Sequence, residues 1–248
     1  MTIREFIAEV SDTLFPPLCL ACSELLLGGR ETIFCPDCLS QINFLSGSRC
    51  PVCGEHFPDS PSENHICGHC LTHPPWFFSA RAATTYDGRI LKAIHRFKYG
   101  RNITIGRALA FFLAGYSFDD LDFSRFDAVM PVPLHLGRLR KRGFNQALIL
   151  ARGLGEKYGM TLDFRSLKRI RPTVTQTGLN RKERLENISG AFQVEYPERI
   201  HGKYLLLVDD VYTTGATVNE CAKTLIRAGA KQVVVLTLAR VSEDKEKS

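Results

Sequence analysis

Apolar positions change their period along the chain. Near the start, Ile3, Phe6, Ile7, Val10 and Leu14 recur at helical spacing, with Glu5, Glu9 and Asp12 between them. That pattern predicts an amphipathic helix over residues 1–18 rather than a secretion signal. Residues 19–75 hold no sustained period, and Pro74-Pro75-Trp76 marks where the region ends. Beyond it, short apolar runs take turns with helical patterns. Residues 79–86 read as a strand, 90–97 as a helix broken at Gly100, and 105–116 as a second helix. Residues 127–132 read as a strand, 134–142 as a basic loop, and Gly143 to Gln146 as the opening of a helix that reaches about Tyr158. Strands follow at 192–194, 203–209 and 232–238, with a helix from Val218 to Ala228 closed by Gly229. This alternation from residue 127 onward predicts an α/β fold with a parallel sheet flanked by helices.

The densest polar chemistry lies on Leu205 to Thr217. Four apolar residues form a buried strand, and Asp209 and Asp210 stand where that strand ends. Thr213, Thr214, Gly215, Ala216 and Thr217 then lead into the next helix. Ligands of open α/β sheets bind at the carboxyl ends of the strands. The N–H groups and dipole of a helix start favour an anion, and threonine hydroxyls add donors. The two carboxylates suit vicinal hydroxyls or a hydrated Mg²⁺. A ribose 5-phosphate carries both kinds of group at that separation. Neither a Walker loop nor a dinucleotide fingerprint is present. A plain strand–helix turn with a capping threonine is the competing reading.

Composition sharpens this picture in two places. The formal net charge of +6 is unevenly spread. Residues 1–75 carry 3 Lys/Arg against 9 Asp/Glu, whereas residues 76–248 carry 29 against 17, a balance of +12. The basic part suits a polyanion, either a pyrophosphate compound or a nucleic-acid backbone. Phe97, Tyr99 and Phe144 are candidate surfaces for stacking on bases. No apolar stretch reaches the ~20 residues of a membrane span, so no membrane insertion and a cytoplasmic location are expected.

The cysteines carry the second point. Eight of nine form C-x₂-C pairs: Cys19/Cys22, Cys35/Cys38, Cys50/Cys53 and Cys67/Cys70. Two such turns complete a tetrahedral Cys₄ zinc site with no position left for water, so two structural zincs are expected. Sequential pairing of the first four and last four is the preferred arrangement, and cross-bracing stays open. Residues 19–75 have too little apolar content for a core of their own, so metal must supply much of the folding energy. The ninth, Cys221, reads as a small core residue.

The Asp-Asp-threonine segment resembles the binding motif for 5-phosphoribosyl-1-pyrophosphate (PRPP) of type I phosphoribosyltransferases. The whole chain resembles the ComF/GntX family of competence-associated, phosphoribosyltransferase-like proteins. The likeness runs through the leading helix, the cysteine quartets, Lys98-Tyr99-Gly100, Pro131-Val132-Pro133, Arg142-Gly143-Phe144-Asn145-Gln146, Gln176…Arg184…Asn187 and the threonine loop. It implies a double zinc ribbon over 19–75, a phosphoribosyltransferase-like domain over 76–240 and a charged tail over 241–248. It further implies PRPP binding with Mg²⁺ and transfer of phosphoribose to an unidentified acceptor, with a link to DNA uptake in natural transformation. Asp209 and Asp210 would be catalytic, and Thr213 to Thr217 would hold the 5-phosphate. Arg138, Arg140, Arg142, Asn145 and Gln146 would meet pyrophosphate. Gln176, Arg181 and Arg184 would belong to a mobile loop within 170–190. The alternative is a non-catalytic protein that binds PRPP or single-stranded DNA, with DNA-uptake proteins as further partners.

Overall fold

The computed structural model describes residues 17–26, 32–57, 64–100, 102–172 and 181–242. The expected helix over 1–18 lies almost wholly outside these residues, as does Gln176. Two one-turn helices, α1 (Pro36–Ser40) and α2 (Gly68–Thr72), sit in the cysteine region. Then follow β1 (Ser79–Thr85), α3 (Gly88–Tyr99), α4 (Ile103–Gly115), β2 (Ala128–Pro131), α5 (Leu136–Arg142), α6 (Gln146–Tyr158), β3 (Thr161–Leu162) and β4 (Leu167–Arg169). The remaining elements are α7 (Arg181–Ile188), β5 (Phe192–Val194), β6 (Tyr204–Tyr212), α8 (Ala216–Arg227) and β7 (Gln232–Arg240).

Five strands form one wholly parallel sheet in the order β1-β7-β6-β2-β3. β6 lies near its centre, and helices cover both faces. Along β6, Leu206 and Val208 pack with Ile94, Phe97, Leu109 and Leu150. Leu205 and Leu207 face the other way, into the cluster with Val218, Cys221 and Leu225. A strand buried on both faces needs an unbroken apolar run, as Leu205 to Val208 supplies. Each such side chain contributes roughly 1.5–3 kcal/mol on burial. α4 and α6 approach so closely that a Cβ on Gly153 would stand 2.8 Å from the Cβ of Ala110.

The structure departs from the sequence reading at three elements. β6 continues to Tyr212, so Asp209 and Asp210 lie inside the strand rather than at its end. Residues 136–142 are a helix and not a loop. His135 caps its start by accepting from the Gly137 amide at 3.2 Å, and Gly143 ends it at φ 85. Phe192–Val194 is a strand, but it pairs antiparallel with β4 outside the main sheet.

The cysteine region covers the free edge of β1. The Leu45 amide donates to Ala83 at 3.0 Å, and the Thr85 and Ala80 amides donate to Asn43 and Val52 at 2.9 and 2.7 Å. Gly54, at φ +74, abuts the Ala80 carbonyl and leaves no room for a side chain. Cys19, Phe34, Cys38 and Ile42 share one buried cluster with Ile94 and Leu113. An otherwise open strand edge is thereby paired and shielded.

Candidate functional site

Successive side chains of a strand point to opposite faces, so Asp209 and Asp210 serve different neighbours. Asp210 is buried and meets Lys98, from the last turn of α3, at 3.0 Å. The Lys98 ammonium also lies 5.8 Å from the Tyr86 ring centroid. Burial alone would lower Lys98, but Asp210 and then Tyr86 outweigh it and raise the ammonium above the usual lysine range. The Tyr86 hydroxyl is in turn 3.0 Å from His95 Nε2. Asp209 faces the α8 side. Burial, and next the Asp210 charge, push Asp209 up to about 7, while Lys98 and Arg169 pull against them. Its Oδ1 accepts from the Asp210 amide at 2.9 Å.

Beyond the acids the chain turns into α8. Gly215 takes a left-handed φ of 75, and the Tyr212 phenol packs where a Cβ would otherwise stand. Only glycine fits that point. Thr214 Oγ1 accepts from the Ala216 amide at 3.3 Å. Thr213, Thr214 and Thr217 remain partly open to solvent around the start of a helix of 12 residues.

The segment after β2 supplies the cations. Arg138 and Arg142 stand four residues apart on α5 and share a face, whereas Arg140 points about 200° round the helix from Arg138 and is exposed. Burial, and then Arg142, lower the pKa of Arg138. Arg142 Nη1 donates to Gln146 Oε1 at 3.2 Å. Gln146 is 2% exposed, and its Nε2 has no hydrogen-bond partner. Asn145 is committed to the backbone, because Oδ1 caps Ala147 at 3.1 Å and Nδ2 donates to the Val132 carbonyl at 3.0 Å. The structure therefore makes Asn145 a brace for this segment.

Sequence reasoning missed two side chains that belong here. Lys98 continues the buried stripe of Ile90, Ile94 and Phe97, and a lysine on an apolar stripe was the available signal. Arg169 is buried on β4, 5.4 Å from the Phe192 ring. Burial and then Arg138 lower its pKa, and Asp209 acts in the opposite sense. Nothing in the sequence distinguished Arg169 from its basic neighbours. The backbone at Arg181 and Arg184 is helical, in α7.

A groove of about 1440 Å³ runs beside this site, between α4, α5, α6 and β4. It shares His135 and Asn145 with the segment after β2 and Arg169 with β4, but it contains neither Asp209 nor Asp210 and no residue of the threonine loop. Exposed Ile103, Phe111, Leu136, Phe164 and Ile170 line it, and Arg107, Arg152, Lys157 and Lys168 outnumber Glu156 and Glu195. Phe97 cannot stack on a base, since it is fully buried, and Phe144 stacks on it at 5.4 Å. Tyr99 is exposed as expected.

The eight paired cysteines gather into two quartets, Cys19/Cys22/Cys35/Cys38 and Cys50/Cys53/Cys67/Cys70. Within each, all sulfurs lie within 4.8 Å of one another, which is the sequential arrangement. Cys22–Cys35 and Cys53–Cys67 sulfur separations are 3.7 and 3.6 Å. Tetrahedral zinc with bonds of about 2.3 Å separates its sulfurs by about 3.8 Å, so the residues fit the metal. The two knuckles repeat each other. The Cys35 amide donates to Cys19 Sγ and the Cys67 amide to Cys50 Sγ, both at 3.4 Å. Burial opposes ionisation at Cys19 and Cys50, but such amide bonds bring them down to about 6 and about 7.

Fold and cysteine quartets together define a phosphoribosyltransferase-fold protein with a double zinc ribbon. Comparison with known families agrees: a double zinc ribbon domain matches residues 10–71 and a phosphoribosyl transferase domain matches residues 137–248. The chain is 34% identical over 229 residues to DNA utilization protein YhgH of Escherichia coli K12, covering 91% of this chain and 97% of that protein. It is 32% identical to Competence protein F of Haemophilus influenzae, over 83% of this chain and 90% of that protein. It is 30% identical to Competence protein ComFC of Streptococcus pneumoniae, over 88% and 92% respectively. The chain belongs to this ComF family of competence and DNA-utilization proteins. Among solved structures it is similar to glutamine PRPP amidotransferase from B. subtilis, at 20% identity and a TM-score of 0.36, over 69% of this chain and 30% of that one. Among the described residues, no helix is long and apolar enough to cross a membrane.

Proposed function

We propose that the protein binds PRPP with Mg²⁺ and transfers its phosphoribosyl group to an acceptor. One observation carries this reading. The two acids in the second half of β6, the threonine loop that follows β6, and the pair Arg138 and Arg142 on the helix that follows β2 all lie toward the carboxyl side of one parallel sheet. The threonine loop would hold the 5-phosphate through its hydroxyls and the first amides of α8. The carboxylates would orient the ribose hydroxyls. Arg138 and Arg142 would meet the pyrophosphate, with Arg169 beside them, since a guanidinium fork matches phosphate oxygens. In the transfer, the C1–oxygen bond breaks and pyrophosphate leaves with the bonding pair. The acceptor atom bonds to C1 and gives up its proton. The protein's part is positioning, neutralisation of the leaving group and exclusion of water.

Asp209, on the α8 side, would hold a hydrated Mg²⁺ through its waters, while Asp210 is committed to Lys98. Burial, and next the Asp210 charge, drive Asp209 up to about 7, and a bound cation would draw it back down. Bound Mg²⁺ would supply charge neutralisation at the pyrophosphate oxygens.

Calorimetry with PRPP and with ribose 5-phosphate tests the reading. The wild type should bind both with Mg²⁺ present. Asp209→Asn with Asp210→Asn should remove the Mg²⁺ dependence and any pyrophosphate release. Thr214→Val should weaken PRPP by roughly 1–3 kcal/mol, the cost of a lost hydrogen bond to a charged group. Wild type that binds neither compound, or a double Asn variant that binds PRPP unchanged, would defeat it.

A second reading rests on the groove. Exposed apolar side chains beneath a basic rim suit a single strand, whose bases pack while its phosphates meet Arg and Lys. The names of the relatives, DNA utilization and competence, point the same way.

A further inference from the structure

The second zinc knuckle and the threonine loop are far apart in sequence but joined by one buried side chain. Arg240 ends β7 and lies beside Tyr212 of β6 in register. It is 5% exposed. Its Nη1 donates to the carbonyl of Cys53 at 2.7 Å, and its Nη2 pairs with Glu55. Both partners belong to the knuckle turn that holds the second quartet. The same guanidinium lies 5.0 Å from the centroid of the Tyr212 ring. Tyr212 in turn packs its phenol against Gly215, the left-handed residue on which the loop turns into α8. The Arg240 and Tyr212 backbones are also fixed, through Tyr86 N–H to Arg240 at 2.6 Å and Val241 N–H to Tyr212 at 2.9 Å. The chain of contact is therefore knuckle, Arg240, Tyr212, Gly215, without a gap.

Among the described residues, the first knuckle shows no such link. Its guanidinium partner is Arg96 of α3, which donates to the carbonyls of Cys19 and Leu20 at 3.3 and 3.1 Å. That knuckle packs into the cluster with α3 and α4, on the opposite side of the sheet from α8.

We propose that Arg240 is a positioning residue that makes the shape of the threonine loop depend on the second cysteine quartet. Zinc at Cys50, Cys53, Cys67 and Cys70 fixes the Cys53 carbonyl and Glu55. These fix the guanidinium, the guanidinium fixes the Tyr212 ring, and the ring fixes Gly215. Occupancy of the second site then sets the affinity of the loop for a phosphomonoester, while occupancy of the first does not. The ligand side of this inference rests on the reading of the loop as the holder of the 5-phosphate. The structural side stands on the contacts alone.

The test compares the full-length, zinc-loaded wild type with Arg240→Met and Arg96→Met. The second variant removes the same kind of guanidinium-to-knuckle bond at the other quartet. Hydrogen exchange should show the amides of residues 213–217 opening about tenfold more readily in R240M and unchanged in R96M. Calorimetry should show ribose 5-phosphate bound about tenfold more weakly by R240M, with Mg²⁺-pyrophosphate binding unchanged and R96M like the wild type. Linkage is reciprocal, so in the wild type saturating ribose 5-phosphate should slow the release of one zinc, and only one, to a chelator. If R240M fails to fold, Glu55→Gln and this wild-type zinc release decide the matter. E55Q keeps the guanidinium in place and should shift loop exchange the same way by a smaller factor. Loop exchange unchanged in R240M, or accelerated equally in R96M, overturns the proposal. So do two zincs that are slowed alike. A wild type that binds no ribose 5-phosphate but whose loop still loosens in R240M overturns the phosphate reading and leaves the coupling standing.

Discussion

At the scale of single residues, the site carries strain in the form of charge. Two acids stand on consecutive positions of a buried strand, and Lys98 answers only Asp210 directly. Burial first, and then the Asp210 charge, make Asp209 hold its proton up to about 7, against an ordinary value of 3.8. Between those two values the folded protein binds a proton that the unfolded chain has released. Stability thus falls as pH rises through that window and levels off above it. Asp209→Asn should raise the melting temperature at pH 8 in metal-free buffer, and the gain should fade as pH approaches about 4. Scanning calorimetry reads it, and a gain independent of pH would contradict the charge argument. Lys98→Met should act in the opposite direction. It leaves Asp210 buried without its cation, a loss on the order of 3 kcal/mol. Adding Asp210→Asn to K98M should recover most of that loss, which denaturant melts of the four species in a double-mutant cycle would show.

At the scale of elements, the zinc knuckles do more than close themselves. Residues 43–45 and 52 satisfy the outer edge of β1, while Arg81 of β1 reaches Asp120 at 2.6 Å and the Pro51 carbonyl at 3.0 Å. Metal analysis should find about two zincs per chain, as two closed Cys₄ sites require. Cys19→Ser, in the quartet that is not joined to the threonine loop, should cost folded protein rather than specific activity per folded molecule. Stripping zinc should also bare the edge of β1, and an unpaired edge is a template for association. Light scattering of the chelated protein should therefore rise, and zinc added early should reverse it. A chelated protein that stays monomeric would show that the edge is covered without the metal.

At the scale of the whole molecule, charge and surface shape divide the labour. The balance of +12 over residues 76–248 is gathered partly on α5 and along the groove beside α4 and α6. Single-stranded DNA should bind with weak sequence preference and with affinity that falls steeply as salt rises. Arg140 and Lys141 are both exposed. Replacing both with glutamine should lower the slope of log affinity against log salt by up to about two units if each meets a phosphate. Filter binding across a salt series measures this. Binding indifferent to salt, or none at low salt, would leave PRPP as the only polyanion.

What could be read from the chain alone was whatever a local pattern encodes. C-x₂-C spacing places two sulfurs in one turn, so the four cysteine pairs and the two zinc sites they imply were visible at once. An apolar run followed by acids, threonines and glycine is a contiguous strand–loop–helix, so the carboxyl edge of β6 was visible too. Period and turn residues gave the parallel sheet. Tertiary structure decided the rest, because the rest joins residues that are distant in sequence. Sequential rather than cross-braced quartets follow from which knuckles fold back on each other. Phe97 looked available for stacking until α6 and Phe144 closed over it. The end of β6 moved to Tyr212 because β7 pairs with it as far as Arg240. Lys98 and Arg169 enter the site only when α3 and β4 pack beside the acids, 112 and 40 residues from Asp210 and Asp209 in sequence. A local pattern fixes local geometry, whereas the partner of a buried charge is set by the packing that buries it.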